Sequence, residues 1–200
     1  LLGQGRIGHV RRIEFAYSNR GRTVFENQPF IKTLPHYIIT DFGSHLFDLV
    51  RFLFGEPESI YCHALKTYEE IAGEDSLTAT LRYKDKICTC SVSENVCSQI
   101  FIDGDEGTME MLRDDSIRVA TIHGTEVFPP PDCPVYDWAS HVYSYLPAHC
   151  IHSIVECNRS FHEAFINGTI PETDAKNNLK TMKIVYAACK STEENQVVLL

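Results

Sequence analysis

Residues 76–94 read SLTATLRYKDKICTCSVSE, and this stretch decides the fold class. Leu77, Ala79 and Leu81 alternate with Thr78, Thr80 and Arg82, and after Lys84-Asp85-Lys86 the alternation resumes through Cys88, Cys90 and Val92. A period of two on both sides of a short polar turn predicts a β-hairpin with one face buried. The same signal continues in both directions. SIYCHALKT before it, and SQIFI, GTMEML, SIRVATI and TEVF after it, read as further strands. They are separated by turns at Asp103-Gly104 and His123-Gly124. Ile13, Phe15 and Tyr17 alternate with polar neighbours and add a first strand ahead of the block.

Helical patterns flank the strands. The spacing predicts a helix from about Thr40 to Phe54, stopped by Gly55 and Pro57. Towards the end, a helix is expected between Pro147 and Asn167-Gly168, with Ile151, Ile154, Val155, Phe161 and Phe165 forming one apolar stripe. A last helix starts near Thr173 and turns Leu179, Met182, Val185 and Cys189 inward, and Val197–Leu200 is placed to rejoin the sheet edge. Residues 18–38 read as a long loop, and long ordered loops are often functional. Helices grouped around a continuous run of strands imply an α+β fold. Its open, mostly antiparallel β-sheet carries helices packed on one face and leaves the other face available for oligomerisation if that face is apolar.

Two hundred residues, 44% of them hydrophobic, suffice for one sizeable core, so residues 1–200 are expected to form a single domain. The formal charge of −9 argues against a nucleic-acid partner, because the phosphate backbone demands a basic stripe. The one basic cluster is Arg11, Arg12, Arg20 and Arg22. No apolar run approaches the roughly 20 residues that span a bilayer, and no signal peptide is visible, so no membrane partner is expected. Eight cysteines are scattered without a C-x-x-C pair, which favours reduced thiols in a cytoplasmic setting over a disulfide framework or zinc site. The first residue is not methionine and the chain opens in what reads as a linker, so a piece of a longer chain is expected.

Gly3, Gly5 and Gly8 spell G-x-G-x-x-G, the spacing of a dinucleotide-binding turn. That turn works when a strand delivers it and a helix follows with its N–H groups facing the pyrophosphate. Two residues precede Gly3 and a strand pattern follows, so a plain turn is the reading and no cofactor-binding residue is assigned in this chain.

The chemistry concentrates in residues 40–57, TDFGSHLFDLVRFLFGEP. Asp41, His45 and Asp48 fall at i, i+4 and i+7, on one helical face. A helix N-terminus favours an ionised Asp41 and a neutral His45, and a neutral imidazole near a cleft is poised to accept a proton. Three other readings of the spacing stay open. Asp41 can serve as a helix cap, His45 as a satisfied core histidine, and the trio as part of a metal site in a hydrolase or isomerase.

GRIGHVRRIEF, TDFGSHLFDLVRFLFGEPESIYCHA and FINGTIPETDAKNNLKTMKIVYAACKSTEENQVVLL occur in that order along the whole chain. Together they resemble the C-terminal domain of the Gfo/Idh/MocA oxidoreductases. The resemblance implies a two-domain enzyme whose N-terminal Rossmann half, missing from this chain, holds NAD or NADP. The C-terminal half then supplies substrate binding and the contacts of a homo-oligomer. It implies catalytic roles for Asp41 and His45: His45 takes the hydroxyl proton of a sugar, polyol or related small molecule as hydride leaves, and Asp41 positions it or stabilises charge. The family's E-K-P lysine belongs to the Rossmann half and has no counterpart here. Many members carry a glycine run before the aspartate where this chain reads LPHYIITD. Phe30, His36 and Tyr37 are therefore the residues expected to line a differently shaped substrate entrance. The rival expectation is a non-enzymatic assembly or ligand-sensing module of the same fold, with Asp41 and His45 structural.

Overall fold

The computed structural model describes residues 1–18, 22–94, 99–130, 132–133, 148–171 and 173–200, with backbone alone at 22–24 and 148–150. It is an α+β fold. Among the described residues nine strands run β1 (Val10–Ser18), β2 (Ser59–Leu65), β3 (Ser76–Arg82), β4 (Ile87–Ser93), β5 (Gln99–Gly104), β6 (Gly107–Met111), β7 (Ile117–Thr121), β8 (Gly124–Phe128) and β9 (Val198–Leu199). They form one open sheet in the order β8-β7-β6-β5-β1-β4-β3-β2-β9. Every neighbouring pair is antiparallel except β1 and β4. A parallel pair needs a long crossover, and here the chain between β1 and β4 supplies the site helix and the β2–β3 hairpin.

Four α-helices occur among the described residues: α1 (Arg22–Asn27), α2 (Ser44–Phe54), α3 (Ala148–Asn167) and α4 (Ala175–Glu194). The chain divides into two compact units, Leu1–Pro129 with Leu179–Leu200, and Pro130–Asn178. The first holds the sheet, α2 and most of α4. The second holds α3 and the first turn of α4.

In the first unit the predicted alternation fixes which face is covered. Leu77, Ala79, Leu81, Cys88, Cys90, Val92, Ile13, Phe15, Ile60 and Cys62 are buried. They share that core with Leu46, Phe47 and Val50 of α2 and with Ile184, Val185 and Ala188 of α4. The seam with α4 is also polar. Cys62 N donates to Ser191 Oγ at 2.9 Å, and Ser191 is itself fully buried. The other sheet face carries Thr78, Thr80, Thr89, Ser91, Arg12 and Glu14. Arg12 pairs with Glu14 at 3.2 Å and with Asp103 at 3.9 Å, and lies over the Phe101 ring. This face mixes these polar side chains with exposed Ile87, which is paired in register with Arg12.

Several expectations need correction. The 18–38 segment is not plain loop: it contains α1 and a 3-10 turn over Pro29–Thr33. Leu179 points outward at 66% exposure, whereas Val185 is buried and Met182 and Cys189 pack against the core, beside Thr181, Ile184, Ala188 and Ser191. On α3, Ile151 is buried, but Ile154, Phe161 and Phe165 are exposed. Pro147 lies outside the described residues.

Candidate active site

The helix carrying the acidic and imidazole groups begins earlier than its spacing predicts. A π-helical turn spans Ile39–Gly43 and runs directly into α2. Its start is drawn together by Thr40, whose N–H and hydroxyl both donate to the His36 carbonyl, at 3.0 and 2.8 Å. Thr40 thus bonds backwards within the helix rather than capping it. Gly43 lies against the sheet, where a β-carbon would stand 3.2 Å from both the Ile38 carbonyl oxygen and Leu77 Cδ2. That close approach seats the turn over the start of β3.

Asp41 is half-buried on this turn and His45 is exposed one turn later. Burial raises the Asp41 carboxyl pKa above its ordinary value, and the charge of nearby His45 opposes that rise. The two side chains are therefore within electrostatic reach of each other. A carboxyl held partly from water beside an exposed imidazole is an arrangement that takes up and places protons. Phe42, next to Asp41, has its ring 5.8 Å from that of Tyr17 at the end of β1, so an aromatic pair flanks the site.

Asp48 does not join them. Thr181 Oγ1 donates to Asp48 Oδ1 at 2.6 Å and Arg51 reaches the same oxygen at 3.4 Å. Arg51 Nε donates to Thr181 Oγ1 at 3.0 Å and closes a three-residue clasp between α2 and α4. Among the described residues no group of three or more His, Cys, Asp or Glu side chains could hold a metal ion. The Cys88 and Cys90 thiols meet each other at 3.9 Å inside the core.

The three expected lining residues fall in different places. Phe30 is 61% exposed on the 3-10 turn. Tyr37 is fully buried, edge-on to Phe25 at 5.5 Å, and so offers no surface to a ligand. Among the described residues its hydroxyl has no hydrogen-bond partner. His36 is held between two carboxylates, Glu74 at 3.0 Å and Glu193 at 2.9 Å. Sequence reasoning missed both acids, because they lie 38 and 157 residues away and no local motif marks them. The opening glycines make a plain turn: Gly5 caps a 3-10 turn with φ +67° and β1 follows, with no helix to face a pyrophosphate. This stretch does not fit a dinucleotide cradle.

An open, mostly antiparallel sheet packs its buried face on α2 and α4, and the helical stretch on that side carries Asp41 and His45. The GFO/IDH/MocA C-terminal domain family matches residues 1–110, and the chain belongs to that family. It is similar to a D-apiose dehydrogenase of Paraburkholderia graminis, 30% identical over 189 residues, covering 88% of this chain and 48% of that protein. A D-apiose dehydrogenase of Rhizobium rhizogenes is 26% identical over 208 residues, covering 99% of this chain and 58% of the relative. Among solved structures, an oxidoreductase from Agrobacterium radiobacter in complex with NAD+, L-tartaric acid and magnesium superposes with a TM-score of 0.87 at 26% identity. That match covers 99% of this chain and 59% of the other. The chain thus spans about half the length of the curated relatives it matches.

Proposed function

We propose that this chain is the substrate-binding half of a nicotinamide-dependent dehydrogenase that oxidises a hydroxyl of a sugar, polyol or related small molecule. The observation that carries the reading is the Asp41–His45 pair, Asp41 on the π-turn and His45 at the start of α2, in a chain 30% identical to a D-apiose dehydrogenase. NAD or NADP accepts hydride when bound, and its phosphates are held outside the described residues of this chain. His45, exposed, takes the substrate's hydroxyl proton on its ring nitrogen. Asp41 faces the imidazolium that results and stabilises its charge. The Tyr17–Phe42 pair beside them supplies an aromatic wall to the site. Self-association uses the uncovered sheet face, whose threonines and paired charges suit a polar interface. The setting is cytoplasmic, consistent with free thiols at Cys62, Cys88, Cys90, Cys157 and Cys189 among the described residues. Among the described residues no helix is long and apolar enough to cross a membrane.

The test is turnover of the full-length protein, followed by nicotinamide absorbance with D-apiose and a panel of polyols, using NAD and NADP in turn. His45→Ala is expected to slow kcat by about a hundredfold or more, the range for a lost general base. Unchanged kcat on the best substrate overturns the reading. Thr80→Arg with Thr89→Arg is expected to lower the mass seen by light scattering, and an unaltered mass removes the sheet face from assembly.

A further inference from the structure

His36 is in an unusual backbone state. Its φ is +48°, in the left-handed region that side chains rarely adopt, although histidine visits it more than most. The neighbourhood explains why the chain turns so sharply here. Residues 34–38 lie directly along Gly73 and Glu74. A β-carbon on Gly73 would stand 2.6 Å from the Leu34 oxygen, 2.7 Å from Tyr37 N and 2.9 Å from His36 N. Ile38 N donates to the Glu74 carbonyl at 3.1 Å.

The side chain is as constrained as the backbone. Nδ1 faces Glu74 Oε1 at 3.0 Å and Nε2 faces Glu193 Oε1 at 2.9 Å. Both partners accept hydrogen bonds when ionised, and a neutral imidazole carries a single N–H. With both carboxylates ionised, both contacts are satisfied by the imidazolium and one is lost when it deprotonates. Glu74 is mostly buried, and its second oxygen, Oε2, has no partner among the described residues. Its charge therefore depends heavily on His36. Glu193, at the end of α4, is 61% exposed.

The clasp bears on the candidate site through the backbone. The His36 carbonyl accepts both the N–H and the hydroxyl of Thr40, the residue before Asp41. The position of His36 sets the first bonds of the helical stretch that presents Asp41 and His45.

We infer that His36 is a positioning residue, whose imidazolium is pinned between Glu74 and Glu193 and holds the left-handed turn that aims the Asp41–His45 helix, so that deprotonation loosens this aim. The inference rests on the reading of Asp41 and His45 as the reacting pair. The groups facing His36 are Glu74, from the turn before β3, and Glu193, from α4. The thiols of Cys62 on β2 and Cys189 on α4 lie close enough to Glu74 to feel its charge. Burial works against the His36 cation, but the bonds and charges of Glu74 and Glu193 outweigh it and leave its pKa raised. The stabilising clasp is therefore complete below the ordinary histidine value and is lost as pH rises through the raised one.

The test uses the full-length protein without substrate or cofactor, so it can fail while His45→Ala still slows turnover, and the reverse. Ring-nitrogen NMR, with His36 assigned from its absence in His36→Gln, is expected to show an imidazolium at pH ~7 that titrates above the usual ~6.5. Glu193→Gln, a surface change that leaves the fold alone, is expected to move that midpoint down towards ~6.5. The His45 ring signals are expected to shift as His36 titrates, and to lose that shift in His36→Gln. A neutral His36 at pH ~7 overturns the inference, as does a midpoint indifferent to Glu193 or a His45 signal indifferent to His36.

Discussion

Thr181→Val removes one hydroxyl from the clasp between α2 and α4 and leaves its volume nearly unchanged. Thr181 is 2% exposed, and that hydroxyl donates to Asp48 Oδ1 at 2.6 Å while accepting from Arg51 Nε at 3.0 Å. The two losses are unequal. Asp48 is 56% exposed and recovers most of its bond from water, and it keeps Arg51 at 3.4 Å. The Arg51 side chain is 11% exposed, so its Nε loses an acceptor where water hardly replaces it. Losing a largely buried bond made by a charged donor costs about 1.5–3 kcal/mol, and the weakened bond to the carboxylate adds a part of its own, giving about 2–3 kcal/mol in all. At about 2–4 °C per kcal/mol for a chain of this size, Tm falls by about 4–12 °C. Asp48→Asn, which keeps an acceptor oxygen and most of the hydration, costs about 1 kcal/mol or less. Calorimetry on the three proteins decides it. A valine variant melting within a degree of wild type, or an asparagine variant melting lower than the valine one, refutes the assignment of Asp48 to a structural clasp.

Three further outcomes follow from the same geometry. Burial raises the Asp41 pKa, so its ionised form opposes folding, and that destabilisation sets in as pH rises from the ordinary carboxylate value through the raised one. Asp41→Asn is accordingly expected to raise Tm at neutral pH, with the gain vanishing in acid, while turnover falls; a variant less stable at neutral pH contradicts this. Gly73→Ala forces the 34–38 segment away from three backbone atoms and costs about 1–3 kcal/mol, the usual penalty of overpacking, read as an earlier urea midpoint. An unmoved midpoint would show that the segment yields freely. Burial pushes the Cys62 thiol pKa up to about 11, and the hydrogen bond with Cys88, together with burial, raises that of Cys90. Thiol labelling of the native protein is expected to modify exposed Cys157 long before either, and equal rates would contradict the packing.

The strands were legible because each has one wet and one dry face, and the period of two survives in the burial of Leu77, Ala79 and Leu81 against Thr78, Thr80 and Arg82. Val198–Leu199 pairs with β2 at the edge, as the final apolar run suggests. The parallel pairing of β1 with β4 had no local signal, since it depends on where an intervening crossover returns the chain. Helix periodicity says which residues share a stripe and nothing about what covers it. Phe161 and Phe165 of α3 share a stripe and are exposed, whereas Thr181 and Ser191 of α4 are polar and buried, because each has hydrogen-bond partners inside. At the site, Asp41 and His45 are placed together by spacing, but Asp48 is drawn off by a partner 133 residues away. His36 and Tyr37 are expected to line the entrance because LPHYIITD departs from the pattern of the resembled family. Their true neighbours, Glu74, Glu193 and Phe25, come from three other segments.

The π-turn accounts for the remaining discrepancy, the position of the helix start. Inward residues of α2 are Val50, Phe47 and Leu46, and Gly43 continues their line. In an unbroken α-helix the next inward positions back are 40, 39 and 36, which would bury Thr40 and leave Ile38 outside. The wider π-turn, closed by i→i+5 bonds, steps from Gly43 back to Ile38 instead. Ile38 and Ile39 are indeed fully buried, while Thr40 is exposed and Asp41 stands half-buried at the edge. One extra residue in the turn thus keeps the apolar anchor inside and still brings a carboxylate to the margin beside His45. A regular helix through this sequence would have to give up one or the other. The turn carries a physical cost, since its hydrogen bonds are poorer than those of an α-helix, and it persists because Gly43, lacking a β-carbon, lets the widened loop settle onto Leu77.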